Sequence, residues 1–206
     1  MNGLTLLHAD DACIVADKPA GLLSVPGRGA DKADCLIARV QLHYPDASIV
    51  HRLDQATSGL MVLARGKAHE STLSKQFQQR TVAKHYIAVL SGLMIQDSGE
   101  ITLPLIADWP NRPLQKVDLE TGKPSHTSYE VLARDELTQT TRVKLTPHTG
   151  RSHQLRVHLM NLGHPIVGDA LYGGRSAPRL MLHAAFLQFT HPQTGKDLSF
   201  TQAADF

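Results

Sequence analysis

The sequence predicts an α+β domain, a largely antiparallel mixed sheet flanked by helices. Three observations carry this. Short apolar, partly β-branched runs outnumber stretches of helical periodicity, and neighbouring runs are joined by tight turns. No repeat, low-complexity segment or flexible linker interrupts the 206 residues, so one domain over 1–206 is the economical reading.

Taken in order, residues 4–8 and 12–16 read as strands around Ala9-Asp10-Asp11. A loop broken by two prolines and two glycines follows at 17–27. Asp34 is a candidate N-cap for a helix through His43, with Leu36, Val40 and His43 on one face and Pro45 beyond its end. Strands at 48–50 and 60–64 flank a turn at 55–59. A helix over 67–80 carries Leu73 and Phe77 four apart, with Gln76, Gln78 and Gln79 as a solvated outer face. Residues 84–90 alternate as a strand, and period two puts Lys84 and Tyr86 on the same side. The stretch 92–122 is turn-rich, with an irregular loop at 108–113. Trp109, the only tryptophan, could cover a groove, but is rather expected to anchor that loop on the core. Paired strands at 125–133 and 140–146 lead to a helix from about 153 to 162. Ser152 is its expected cap, Gly163 lies at its end, and Leu155, Leu159 and Leu162 form its buried stripe. Arg156, about 100° from Leu155, borders that stripe. A late strand over 180–190 and a hairpin turn at Thr194-Gly195 complete the chain.

Apolar residues at 42 % and charged residues at 19 % are ordinary for a soluble globular protein. Net charge is only +2, but its distribution is uneven. Between Leu137 and Lys196 the only acid is Asp169, against seven Lys and Arg and six His. Such a span suits a phosphate backbone, and charge alone fits a solvated surface equally well. Cys13 and Cys35 form no paired motif, so a reducing compartment fits. No basic residue precedes Lys18, the apolar run at 4–7 is too short for a signal core, and no run reaches membrane-spanning length. A cytoplasmic protein is expected. Neither a dinucleotide fingerprint nor a phosphate-loop motif occurs. Gly150-Arg151-Ser152-His153-Gln154 resembles a nucleophile elbow but lacks the closing glycine. His153 and His158, five apart, point about 140° from one another on a helix, so no metal site is expected.

The chain is organised around His51-Arg52-Leu53-Asp54-Gln55-Ala56-Thr57-Ser58-Gly59. It sets an arginine and a carboxylate two residues apart at the lip of a sheet. A short acid on a rigid turn serves as nucleophile or base. It equally serves to close an Asx-turn.

This stretch, followed by 150–158 (Gly-Arg-Ser-His-Gln-Leu-Arg-Val-His), 163–169 (Gly-His-Pro-Ile-Val-Gly-Asp) and 180–184 (Leu-Met-Leu-His-Ala), resembles the RluA family of RNA pseudouridine synthases. The resemblance covers essentially the whole chain and implies that family's catalytic fold, without the S4 domain that many relatives carry in front. It implies that Asp54 is the nucleophile isomerising uridine to pseudouridine, that Arg156 forms a salt bridge with it, and that Tyr86 stacks on the target base. It further implies that the base is flipped out of the RNA and that Arg52 enters the vacated space. Lys84 is a candidate partner for a carboxylate or phosphate, and Arg151, Arg175 and Arg179 are candidates for gripping phosphates. No cofactor is needed for an isomerisation. The loops at 18–27 and 108–113 and the closing Ala204-Asp205-Phe206 look like the dual-specificity members, which modify a stem-loop of 23S ribosomal RNA and the tRNA anticodon stem-loop. RNA is the expected partner, and a monomer the expected state. The alternative is a non-catalytic RNA-binding or RNA-remodelling protein on the same fold. A glycoside hydrolase would need a second acid near Asp54, for which the motifs offer no clear candidate.

Overall fold

The structure, a computed structural model, describes residues 4–27, 29 and 32–206. The chain forms two compact units, Met1–Lys84 with His183–Asp205, and His85–Leu182 with Phe206.

The first unit is built on β4 (Ser58–Arg65), seven of whose eight residues are buried. On one edge β2 (Cys13–Lys18) pairs along its whole length, antiparallel, from Cys13 opposite Ala64 to Lys18 opposite Gly59. β1 (Thr5–Ala9) adds outside β2, with an irregularity between Leu6 and His8. Two strands share the other edge. β3 (Ala47–Ile49) pairs antiparallel with residues 63–65, and β11 (Leu182–Thr190) runs parallel to β4 at Ser58 and Gly59. β12 (Asp197–Thr201) closes a hairpin onto β11. Gly59 is required where β11 arrives: its φ is +114°, and a Cβ there would lie 2.4 Å from the carbonyl oxygen of Ala184. Alternate residues of the strands (Cys13 and Val15, Leu60, Val62 and Ala64, Leu187 and Phe189) bury one face against Leu73 and Phe77 of α2 (Gly66–Gln79). α1 (Leu36–Gln41) buries Leu36, Ile37 and Val40.

Two details differ from the sequence expectation. Asp34 does not cap α1; Cys35 holds that position, and both Asp34 oxygens take the Arg39 guanidinium at 2.7 and 2.6 Å. Gln76, half-exposed on α2, does more than face solvent. Its amide nitrogen donates to Thr190 O at 2.7 Å and its oxygen accepts Thr190 N at 3.0 Å, continuing the ladder at the end of β11.

In the second unit β6 (Ser98–Ile101), β9 (Thr127–Asp135), β10 (Thr140–Pro147) and β5 (Ala83–Ser91) pair antiparallel in that order. A separate hairpin, β7 (Leu105–Ala107) and β8 (Gln115–Val117), packs on α3 (Gln154–Asn161). Leu105, Val157 and Tyr172 form that contact, with Leu114, Val117 and Met160 around them. The loop of the hairpin carries a 3₁₀ turn at Trp109–Asn111. Trp109 is 66 % exposed, so it does not anchor the loop on the core as the sequence reading expects. Main-chain hydrogen bonds among Asp108, Asn111 and Leu114 hold the loop instead. The class is α+β with largely antiparallel pairing, as the strand-and-turn pattern predicts. Among the described residues no helix is long and apolar enough to cross a membrane.

Candidate active site

The turn bearing Asp54 grows out of a split in the first unit's sheet. β3 leaves β4 after Ile49, β11 joins at Ser58, and residues 50–57 exit between them. This strands the amide of Val62 on the open edge, and the His51 side chain meets it: Nε2 accepts that N–H at 3.1 Å. The His51 ring stacks on Phe77 of α2, centroids 4.3 Å apart. Burial, with a contribution from the Lys84 charge, pushes the His51 pKa down to about 3. Leu53 is fixed next. Its N–H donates to Ser24 Oγ at 3.1 Å, and that hydroxyl donates to Leu53 O at 2.8 Å. The Asp54 carbonyl accepts Thr57 N at 3.1 Å. Lys18 is wholly buried, and its ammonium donates to the carbonyls of Pro19, Leu22 and Gln55 at 2.9, 2.7 and 3.2 Å. Behind the turn, Ser58 Oγ and His183 Nδ1 are 2.8 Å apart, and His183 Nε2 reaches Gln202 O. Asp54 is therefore half-buried on a backbone gripped from both sides, beside an exposed Arg52. The sequence reading passed over Lys18, Ser24 and His51 because each acts through partners distant in the chain.

His51 gives a testable acid dependence. The unfolded chain takes up a proton near pH 6.5 that the folded chain refuses until about 3. Stability is thus fully present above 6.5 and falls with decreasing pH through that window, by at most roughly 1.4 kcal/mol per pH unit. His51→Gln is expected to flatten this slope in urea melts between pH 7 and 4. The same slope in both proteins would refute the assignment.

In the second unit Tyr86 lies half-buried on β5, opposite Leu145 of β10. Arg156, on α3, is only 4 % exposed. Its Nε and Nη2 donate to Asp169 Oδ2 and Oδ1, both at 2.7 Å, a bidentate buried pair. Asp169 Oδ1 also accepts the amides of Leu171 and Tyr172 at 3.0 and 3.2 Å. The Tyr172 ring lies 5.1 Å from the Arg156 guanidinium carbon. Its hydroxyl accepts Gln115 N at 2.9 Å and lies within hydrogen-bond distance, 2.7 Å, of His153 Nδ1. Asp169 is the residue the sequence reading missed, although it stood out as the one acid of a basic span. Because it is buried, residues 137–196 present no carboxylate to solvent.

The start of α3 corrects the capping expectation. His153, in the left-handed region at φ +53°, is the N-cap, and Ser152 plays no part in capping. Gln154 reaches back instead: its Oε1 accepts Thr149 Oγ1 and Arg151 N at 2.8 and 3.0 Å. The buried stripe is also wider than expected, from Gln154 through Leu159, while Leu162 is 38 % exposed. His158 is a satisfied core residue between Thr127 Oγ1 and Leu103 O. Among the remaining candidates, Arg151 donates to Pro124 O, exposed Arg175 to Thr138 O, and Arg179 lies over the Phe206 ring. Lys84 is half-buried near the Phe77 ring, and burial lowers its pKa.

His8, Asp10, Cys13 and His191 place four ligand-type atoms within 4.8 Å of one another. Their geometry is that of hydrogen bonding. Asp10 Oδ2 lies 2.7 Å from His8 Nε2 and 2.9 Å from His191 Nε2, whereas ligands on one tetrahedral zinc are spaced by about 3.3 Å. His191 Nδ1 accepts the amides of Gln193 and Thr194, so its Nε2 carries the proton that Asp10 accepts. Burial and the neighbouring Asp10 charge push the Cys13 thiol up to about 12, far from the thiolate that a metal requires. Burial raises the Asp10 pKa, but hydrogen bonds from Cys13, Ala12, His191 and His8 outweigh it and hold the carboxyl well below its ordinary range. The cluster ties the β1–β2 turn to the β11–β12 hairpin.

Comparison with known proteins places these features in a family. The family described as RNA pseudouridylate synthase matches residues 12–161. The chain is 51 % identical over 207 residues to the dual-specificity RNA pseudouridine synthase RluA of Yersinia pestis, covering 98 % of this chain and all of that protein. It is 55 % identical over 196 residues to the protein of the same name from Vibrio parahaemolyticus, covering 92 % of this chain and 78 % of that one. Among solved structures, human RNA pseudouridylate synthase domain containing 1 superposes with a TM-score of 0.83 at 28 % identity, covering 99 % of this chain and 84 % of the other. The matched span contains both the Asp54 turn and the α3 arginine, and the likeness extends over nearly the whole chain: this protein belongs to the RNA pseudouridylate synthase family.

Proposed function

We propose that the chain, as one catalytic domain, isomerises uridines in a stem-loop of 23S ribosomal RNA and in the tRNA anticodon stem-loop, in the cytoplasm and as a monomer. Near-full-length identity to the dual-specificity synthases is the observation that carries this reading. The reaction breaks the bond from uracil N1 to ribose C1′, turns the base, and joins C5 to C1′. C5 loses a proton and N1 gains one, so composition and redox state are unchanged and no cofactor is called for. Asp54 supplies the carboxylate, by attack at C1′ or C6 or by taking the C2′ proton to give a glycal-like intermediate. Its rigid turn fixes the approach of that acid to the sugar. Arg156 is the guanidinium that keeps Asp54 ionised, and Tyr86 stacks on the uracil. Arg52, exposed beside Asp54, fills the gap left by the flipped base.

Arg151, Arg175 and Arg179 grip phosphates, with Lys84 as the more enclosed fourth cation. The span from 137 to 196 supports this, since its single acid is consumed inside the protein. Affinity for an anticodon stem-loop RNA is expected to fall with salt, with a log–log slope of roughly −2 to −3 for three or four phosphate contacts. A flat dependence in a filter-binding titration would rule out phosphate-led binding. The direct test of function is pseudouridine mapping of total RNA from cells with and without the protein. RNA binding with no uridine converted would mark the non-catalytic alternative.

A further inference from the structure

We propose that Trp109, backed by Arg112, is a stacking platform for an unpaired nucleobase of the RNA other than the uridine being isomerised. The inference rests on the reading of RNA as substrate and deepens it by naming a specificity-determining residue.

Trp109 is the chain's sole tryptophan and is 66 % exposed at the tip of the β7–β8 hairpin. The guanidinium carbon of Arg112 sits 3.0 Å from its ring centroid, so one face is covered and the rest of the ring is open. This arrangement selects its occupant. Closing an apolar protein surface over the ring would take the adjoining guanidinium out of water without a counter-charge. A nucleobase offers a π face to the open side of the indole, and the RNA phosphates next to it are free to neutralise the guanidinium on the other side.

The platform is also held in place before any RNA arrives. Asp108 N donates to Leu114 O at 2.9 Å, Asn111 N to Asp108 O at 3.0 Å, and Asn111 Nδ2 to Asp108 Oδ2 at 2.9 Å. The hairpin is then tied to the body of the second unit by Gln115 N on the Tyr172 hydroxyl. The same Tyr172 ring lies against Arg156. A base seated on Trp109 is thereby placed at a fixed distance from the α3 arginine. That is what an enzyme needs to choose one uridine in a loop by the position of another base.

Because no other tryptophan is present, indole emission reports this site alone. The test titrates the full chain with an anticodon stem-loop RNA, and with the same RNA carrying an abasic residue at each loop position in turn. The intact RNA is expected to quench emission, and one abasic position is expected to restore it while weakening binding about tenfold. Trp109→Ala is expected to raise KM for that RNA roughly 10- to 100-fold, with the loss carried by KM rather than kcat, while Trp109→Phe keeps most of the affinity. Equal quenching by heparin, which has no bases, would overturn the proposal. So would unmoved emission, or a wild-type KM in Trp109→Ala, in a preparation that forms pseudouridine. A preparation in which the wild-type protein forms no pseudouridine would instead strike the functional reading on which this one stands.

Discussion

Asp54→Asn is expected to lower tritium release from C5-labelled uridine in RNA by about four orders of magnitude or more. RNA affinity is expected to change little. The asymmetry follows from how the turn is built. Asn has the shape of Asp, and the turn's position is set by groups outside that side chain: the Val62 amide on His51, the Ser24 hydroxyl on Leu53, and the Lys18 ammonium on Gln55. An amide in the same place neither attacks carbon nor accepts a proton at neutral pH. The arginines proposed to grip phosphates are untouched, so binding is expected to persist without chemistry. The measurement pairs single-turnover tritium release with a binding titration on the same preparation. Turnover within about a hundredfold of wild type would refute the nucleophile assignment, since loss of a true nucleophile is far costlier.

The parts of the site legible in the sequence are those that act over short stretches. The turn between β3 and β4 is announced by two apolar runs around polar, glycine-ended residues, and the start of β5 by alternation through Lys84 and Tyr86. The helix bearing Arg156 shows in its leucine spacing and in Gly163. What escaped depends on partners far along the chain. Gln76 reads as an outward helix residue until Thr190, 114 positions later, is brought against it. Ser152 is a better cap by composition than His153, but the start of α3 is fixed by the Gln154 amide, which also meets His126 and Thr127, a contact set by the β9 strand. Trp109 has the composition of a core residue, and only the hairpin's projection explains its exposure. Asp169 is thirteen residues from Arg156, and a one-dimensional pattern does not reveal that a glycine-rich loop folds this acid under the helix. Gly168 permits the fold-back: its φ is +80°, and a Cβ would lie against the Arg179 carbonyl oxygen.

The buried Arg156–Asp169 pair separates stability from chemistry in a way single substitutions cannot. Arg156→Ala leaves Asp169 charged in the interior, and Asp169→Asn leaves Arg156 without its counter-charge. Each is expected to destabilise the fold by roughly 3–5 kcal/mol in urea melts. Each is also expected to lower turnover at least a hundredfold. For Asp169→Asn alone that loss is ambiguous, because a guanidinium released from its bidentate clamp is both misplaced and less stably housed. The double variant Arg156→Met, Asp169→Leu resolves it. Replacing a buried ion pair with apolar side chains of similar volume removes both desolvated charges at once, so stability rises above that of either single variant, less what the Leu171 and Tyr172 amides lose with their acceptor. The arginine proposed to keep Asp54 ionised does not return, and tritium release is expected to stay at the level of Arg156→Ala. If the refolded double variant regains wild-type turnover, Arg156 serves the fold alone. If stability returns and turnover does not, the helix carries a catalytic guanidinium that Asp169 exists to aim.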